Sequence, residues 1–236
     1  MFQFNPFSFH NTEEINSKCG YAQKHLVMLV IIGYTGAGKT FALNYYHSKN
    51  PWVYKITLGE SIKAKDMYGQ FLNQLTGEKK IRRESRSILI RLIEMELERV
   101  YGKGLIIIDE CGTLKKQELA VLRELRDLTK SKLGMVLFGP DDFLSNVRKW
   151  QAEGVVGIEE LSSRIFDWIR LKRPSDEEIA ALFKSEGIMK YAGAKKFLAD
   201  QLEISIKSRT WRDTQKAVQK FFDTSPKLLA ANKTQK

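Results

Sequence analysis

The chain has 236 residues, 43% of them hydrophobic and 28% charged, which excludes wholesale disorder, collagen-like sequence and a disulfide scaffold. Lys and Arg number 39 against 28 Asp and Glu, and the net charge of +11 points to a polyanionic partner such as nucleic acid or an acidic membrane surface. Two cysteines (Cys19, Cys111) and three histidines (His10, His25, His47) stand isolated, so no zinc-ligand spacing exists, and lone thiols suit a reducing cytoplasm.

The opening segment MFQFNPFSFHN sets Phe2, Phe4, Phe7 and Phe9 at near-alternate spacing. That pattern fits an edge strand, a wall beside an adenine, a subunit contact or, most simply, a segment packed on the core. It lacks the basic start and apolar core of a secretory signal. The longest apolar run, Leu26–Ile32, has seven residues, whereas a membrane-spanning helix needs about 20. The expectation is a cytoplasmic protein without a membrane partner.

From residue 27 short apolar runs alternate with helical patterns. VMLVIIG (27–33) reads as a buried strand and 38–47 as a helix. WVYKITL (52–58) is β-branched and aromatic, hence a strand. Residues 62–75 and 85–100 carry apolar side chains at helical spacing. GLIIID (104–109) is a buried strand, 116–130 a helix, GMVLFG (134–139) a strand and FDWIRL (166–171) the last strand. Continuous apolar strands between helices imply α/β architecture, a parallel sheet flanked by helices on both faces. Past Pro174 no strand signal remains. Ser175 with the acids after it caps a helix, and residues 191–206 and 211–222 also read as helices. The expected organisation is an N-terminal extension (1–26), a nucleotide-binding α/β domain (27–174), a small helical domain (175–223) and a flexible basic tail (224–236).

The strongest motif is GYTGAGKT, residues 33–40. It matches G-x4-G-K-[ST] with an apolar strand before it and a helix after it. Glycine is required because the backbone must wrap phosphates with its N–H groups inward. The helix N-terminus adds partial positive charge. The motif calls for ATP and Mg²⁺. Gly33, Thr35, Gly36, Ala37, Gly38, Lys39, Thr40 and Phe41 form the cofactor cradle, Lys39 reaches the β- and γ-phosphates, and the Thr40 hydroxyl ligates the metal. The second motif is LIIIDE (105–110). Asp109 is the candidate for the Mg²⁺ shell and Glu110 for polarising the attacking water. Cys111 reads as small filler, because no base is placed to activate it.

These motifs, their strand spacing and the helical region that follows resemble the AAA+ ATPases, with an AAA+ core and a small helical lid. No Asn-Lys-x-Asp string supports guanine. The resemblance implies an arginine finger acting on a neighbouring subunit's γ-phosphate. Arg164, in LSSRIFDWIRL before the last strand, fits that place, with Arg148 in reserve. It also implies a sensor 2 arginine on the helical domain. Arg209 and Arg212 are available, and Arg212 suits the family spacing better. Sensor 1 departs from the pattern: the fourth strand runs into Gly139, Pro140 and Asp141, without the usual Asn, Ser or Thr. The stretch ELAVLRELRDLTKSKLGMVLFG (118–139) resembles the B protein of phage Mu and related transposition regulators. These are AAA+ proteins that oligomerise on duplex DNA and recruit or stimulate a transposase. This resemblance implies duplex DNA, further copies of the chain in a ring or filament, and a transposase as partners. No room is expected ahead of residue 27 for the phage protein's helix-turn-helix domain, so DNA contact is expected from the AAA+ core or the tail. A helicase loader or replication initiator, and an ATPase serving protein assembly or secretion, are the other readings.

DNA contact is expected from Lys63 and Lys65 after the second strand, from Lys79, Lys80, Arg82 and Arg83 between two helices, and from Lys115 and Lys116 after the acidic pair. Repetition of such clusters along an assembly multiplies modest phosphate contacts. Without interleaved aromatics the binding should follow the backbone and read few bases.

Overall fold

The structure is a computed structural model that describes residues 10–59, 64–185, 187–190 and 193–224. It divides into two compact units. One comprises Glu14–Gly33 and Lys39–Leu171; the other comprises Met1–Glu13, Tyr34–Gly38 and Lys172–Lys236.

The first unit is built on five parallel strands: β1 (Met28–Ile32), β2 (Val53–Thr57), β3 (Gly104–Asp109), β4 (Leu133–Gly139) and β5 (Ile165–Arg170). Their order is β2-β3-β4-β1-β5, so β1 lies between β4 and β5. Every pairing is parallel, and all strands therefore end at the same edge. In such sheets that carboxyl edge is where ligands bind.

The strands are β-branched and aliphatic because both faces are covered. Met28, Val30, Ile32, Ile106, Ile108, Met135 and Leu137 join one core with helices α3 (Ala64–Thr76), α4 (Arg86–Glu98) and α5 (Lys116–Thr129). Burying each such side chain contributes about 1.5–3 kcal/mol. On the other face Gly134 of β4 meets Ala22 of α1 (His10–His25), and Lys55 of β2 meets Asn44 of α2 (Lys39–Lys49). At Gly134 a Cβ would sit 2.1 Å from the Ala22 carbonyl oxygen, so the close packing of α1 on β4 requires glycine. The buried Arg126 staples two strand starts, donating to the carbonyls of Leu133 (2.8 Å) and Leu26 (2.5 Å).

Two differences from the expected elements stand out. Residues 10–25 form a helix, where an extension was expected. Ile15, Cys19 and Ala22, at positions i, i+4 and i+7, are its buried stripe, too short a signal to be read from a polar segment. Between Pro140 and Arg164, where the sequence pattern predicts no element, lie α6 (Asp142–Ala152) and α7 (Ile158–Ser162). Their inward residues, Phe143, Val147, Ile158 and Leu161, are sparse in a polar stretch. Phe2, Phe4, Phe7 and Phe9 and the basic tail from 225 lie outside the described residues.

The second unit holds α8 (Asp176–Ser185), a 3-10 turn (Ile188–Lys190), α9 (Ala194–Leu202) and α10 (Trp211–Thr224). Ser175 caps α8 reciprocally with Glu178: the Glu178 N–H donates to the Ser175 hydroxyl (3.2 Å), and the Ser175 N–H donates to the Glu178 carboxylate (2.9 Å). The rings of Phe183, Phe197 and Phe221 stack in sequence inside this unit. The chain passes between the units for the last time at Leu171/Lys172.

Candidate nucleotide site

The phosphate loop follows β1 directly. Leu171 donates its N–H to the carbonyl of Ile32 (2.9 Å) and Gly33 donates to the carbonyl of Gly139 (3.2 Å), so the loop leaves the sheet at a fixed point. A Cβ on Gly33 would press on the Leu171 side chain at 3.0 Å. Gly36 and Gly38 hold φ of +88° and +85°, conformations that side-chain-bearing residues rarely adopt. Around the Gly38 Cβ position no atom beyond the adjoining residues lies within 4 Å, so the turn leaves open space there. Thr35 and Phe41 are exposed and Ala37 is buried, its N–H closing the turn onto the Tyr34 carbonyl at 3.2 Å. Lys39 and Thr40 are the first residues of α2, at the positive end of its dipole. The Lys39 ammonium donates to the Gly33 carbonyl at 2.6 Å, folded back along the loop.

Asp109 ends β3 and is buried. Its Oδ1 accepts the Glu110 N–H at 3.0 Å, and its Oδ2 lies 3.5 Å from the Lys55 ammonium. Glu110 is exposed and occupies the left-handed region, φ 65° and ψ 35°. Such backbone costs a non-glycine residue about 1–2 kcal/mol and recurs at functional sites. The hydroxyl of Thr113 donates to the Glu110 carbonyl (2.9 Å), and a Cβ on Gly112 would strike Pro140 at 2.6 Å. The turn after the acids is thus wedged against the exit of β4. Cys111 is buried there, and burial pushes its thiol well above the ordinary range, so it stays protonated. The hydroxyl of Thr40, the Asp109 carboxylate and phosphate oxygens are hard oxygen donors of the kind Mg²⁺ takes. Among the described residues no group of three or more His, Cys, Asp or Glu is arranged to hold a metal ion by itself.

Arg164 lies between α7 and β5. Its Nε and Nη2 donate to the two oxygens of Asp127 on α5 (2.9 and 2.7 Å), and Nη1 donates to the Glu160 carbonyl. The guanidinium beside Asp127 holds that carboxyl below its ordinary value. Arg148 is exposed on α6. Asp141, in the place of the missing sensor 1 residue, faces Arg170 at 3.7 Å.

The helical unit separates the two sensor 2 candidates. Arg209 is buried, and its two terminal nitrogens donate to Asp176 (2.5 Å) and to the carbonyls of Leu202 and Ile204 (2.8 Å each). Arg212 is exposed on the first turn of α10, and its N–H donates to the Gly36 carbonyl at 3.3 Å. A Cβ on Gly36 would lie 2.9 Å from the Arg212 Cβ. In the same unit the Arg173 guanidinium covers the Tyr34 ring at 4.3 Å, and the buried Asn11 amide donates to the carbonyls of Lys172 (2.9 Å) and Ala37 (3.4 Å). Neither Asn11 nor Arg173 had a signal in the sequence. Lys55 did, as one charge inside VYKIT.

The basic clusters divide. Lys79, Lys80 and Arg83 are exposed on the α3–α4 loop beside the 88% exposed Ile81, and Lys65 donates to the Arg83 carbonyl at 2.9 Å. Arg82 is turned inward, its side chain only 6% exposed, bonded to Asn73 and Glu78 at 2.6 Å each. It orders the loop instead of presenting charge. Lys80 pairs with Glu78 (2.9 Å) and Lys116 with Glu153 (2.5 Å), while Lys115 is exposed ahead of α5. Lys63 lies outside the described residues. No described helix is long and apolar enough to cross a membrane.

A family model described as an AAA domain matches residues 23–146. No curated protein matches the chain. Among solved structures, Cdc6p from Pyrobaculum aerophilum superposes with a TM-score of 0.54 at 14% identity over 80% of this chain and 52% of its own. The Orc1 protein of Aeropyrum pernix, in complex with DNA, gives 0.53 at 13% identity, covering 76% of this chain and 48% of that one. The ORC2 protein of Aeropyrum pernix, in ADPNP–ADP complexes, gives 0.54 at 11% identity, with 81% and 54% covered. The chain thus spans about half the length of these structures, and at such identities the likeness is one of fold.

Proposed function

The chain belongs to the AAA-domain family, and from that premise we propose that it is an ATP- and Mg²⁺-dependent ATPase that assembles on duplex DNA and regulates transposition. The observation that carries the nucleotide part is the shared sheet edge: Lys39 and Thr40 open α2 after β1, and Asp109 ends β3, one strand beyond β4, with Glu110 directly after it. Lys39 exchanges its loop carbonyl for the β- and γ-phosphate oxygens. Thr40 and Asp109 hold Mg²⁺, which when bound offsets charge on those oxygens. The exposed Glu110 carboxylate orients a water and accepts its proton. Gly33 and Thr35 to Phe41 line the phosphates, with Arg212 adding positive charge where α10 meets Gly36.

Arg164, aimed by Asp127, serves a neighbouring subunit, so ATP favours the assembled state and hydrolysis dissolves it. The net charge of +11 and the exposed Lys79, Lys80 and Arg83 support duplex DNA as the surface on which copies assemble. The transposition role, with a transposase as partner, rests on the resemblance of residues 118–139 to the phage Mu B family. The fold likeness to Cdc6p and the Orc proteins supports a second reading, a replication initiator or helicase loader.

The deciding experiment is electron microscopy of the protein with duplex DNA, with and without a non-hydrolysable ATP analogue. Nucleotide-dependent rings or filaments on DNA are expected. They should be absent for Lys39→Ala and persistent with ATP for Glu110→Gln. Nucleotide binding with DNA left bare across a low-salt series would defeat the DNA reading and favour a protein substrate. Stimulation of a transposase, against loading of a helicase, separates the two DNA roles.

A further inference from the structure

Lys55 is the one charged residue of β2. Strand alternation explains where it goes. Tyr54 and Ile56 enter the core with α3, so Val53, Lys55 and Thr57 face the α2 side. On β3, Ile106 and Ile108 share that core, so Asp109 faces the α2 side as well. Parallel pairing sets Lys55 opposite Ile107 and Thr57 opposite Asp109, one diagonal step apart. The Lys55 ammonium donates to the Asn44 side-chain oxygen at 2.9 Å and lies 3.5 Å from Asp109 Oδ2. The side chains of Lys55 and Asp109 are only 17% and 5% exposed. Asn44 follows Thr40 by one helical turn, so the two share a stripe of α2.

We propose that Lys55 is a resident counter-ion of Asp109 which, tethered by Asn44, sets how much divalent metal the nucleotide site requires. A buried carboxylate needs a partner of opposite charge, and Lys55 is the partner while no metal is near. A divalent cation arriving between Thr40 and Asp109 meets that ammonium as a like charge and competes with it for the same carboxylate. Asn44 moderates the competition, because it holds the ammonium through one of its three donors and keeps it from closing fully on Asp109. Lys55 is therefore a positioning residue. The proposal rests on the reading that Thr40 and Asp109 hold the metal.

The test is binding of a fluorescent ATP analogue to the full chain, stripped of metal with EDTA and titrated with Mg²⁺. Melting of the nucleotide-free protein is followed in parallel. Lys55→Met should lower the half-saturating Mg²⁺ concentration at least threefold and lower the melting temperature, because Asp109 loses its counter-ion. Lys55→Arg should restore both. Asn44→Ala, an exposed change that leaves the core intact, should move the Mg²⁺ midpoint the opposite way, since it frees the ammonium for Asp109. An unchanged Mg²⁺ midpoint in Asn44→Ala, and in Lys55→Met where it folds, overturns the proposal and leaves a purely structural ion pair. The underlying reading is checked separately with Asp109→Asn: an Mg²⁺ midpoint unaltered by that change would show that Asp109 does not hold the metal at all.

Discussion

Gly36 and Gly38 are two residues apart in one loop, share a positive φ, and should respond to alanine in different ways. At Gly36 the added Cβ would lie 2.9 Å from the Arg212 Cβ and 3.2 Å from the Thr210 hydroxyl oxygen. The left-handed backbone costs an alanine about 1–2 kcal/mol, and crowding two packed side chains adds about 1–3 kcal/mol. At Gly38 the same backbone cost applies, but no atom beyond the adjoining residues lies within 4 Å of the new methyl. For a chain of this size each kcal/mol moves melting by roughly 2–4 °C. Gly36→Ala should therefore lower the nucleotide-free melting temperature by on the order of 10 °C, and Gly38→Ala by about half of that. With nucleotide the picture changes. Ligand at a hundredfold excess over Kd stabilises by about 2.7 kcal/mol, a rise of roughly 8 °C for the unaltered protein. Gly38→Ala should lose nearly all of that rise, because its methyl fills the space left for phosphate. Differential scanning fluorimetry with Mg²⁺ and a non-hydrolysable ATP analogue reads both effects. A Gly38→Ala protein that melts as low as Gly36→Ala, or that keeps the full nucleotide-dependent rise, would refute this account of the loop.

Replacing Arg209 by Met should destabilise the helical unit by about 3–5 kcal/mol, since it strands the Leu202 and Ile204 carbonyls, whereas Arg212→Ala should leave melting within about 0.5 kcal/mol and weaken nucleotide binding; denaturant titration and binding isotherms separate the two. Glu110→Gly should melt at or slightly above the unaltered protein, because relief of about 1–2 kcal/mol of left-handed strain outweighs the flexibility that glycine adds to the unfolded chain, while ATP hydrolysis measured by phosphate release disappears. Asp127 has its carboxyl depressed below the ordinary 3.8 by Arg164, so the stability of this pair is present above that pH and lost as pH falls through the lower folded value. Acid titration of Asp127→Asn should accordingly lack that part of the acid-induced loss, seen as a shallower fall of melting temperature with pH.

The parallel sheet and the phosphate loop were legible because their physics is local. A buried parallel strand needs an unbroken apolar run, and a phosphate cradle needs glycines, Lys and Thr at set spacing before a helix. Residues 28–32, 104–109 and 33–40 carry those signals within a few neighbours of one another. Helices α1, α6 and α7 were not legible, because each buries only a few side chains and owes its stability to the elements it packs against.

Among the cationic residues, the sequence determined only that they are there. Arg209 and Arg212 look alike in a string, as do Arg82 and Arg83. Tertiary packing made Arg209 the buried hub of the helical unit and left Arg212 exposed at Gly36; it turned Arg82 into its own loop and left Arg83 outside. It also brought Lys55 to Asp109 and Arg164 to Asp127 across gaps of 54 and 37 residues. The reason is that a charge is assigned its role by what surrounds it after burial, and those neighbours arrive from distant segments only when the sheet and helices have closed.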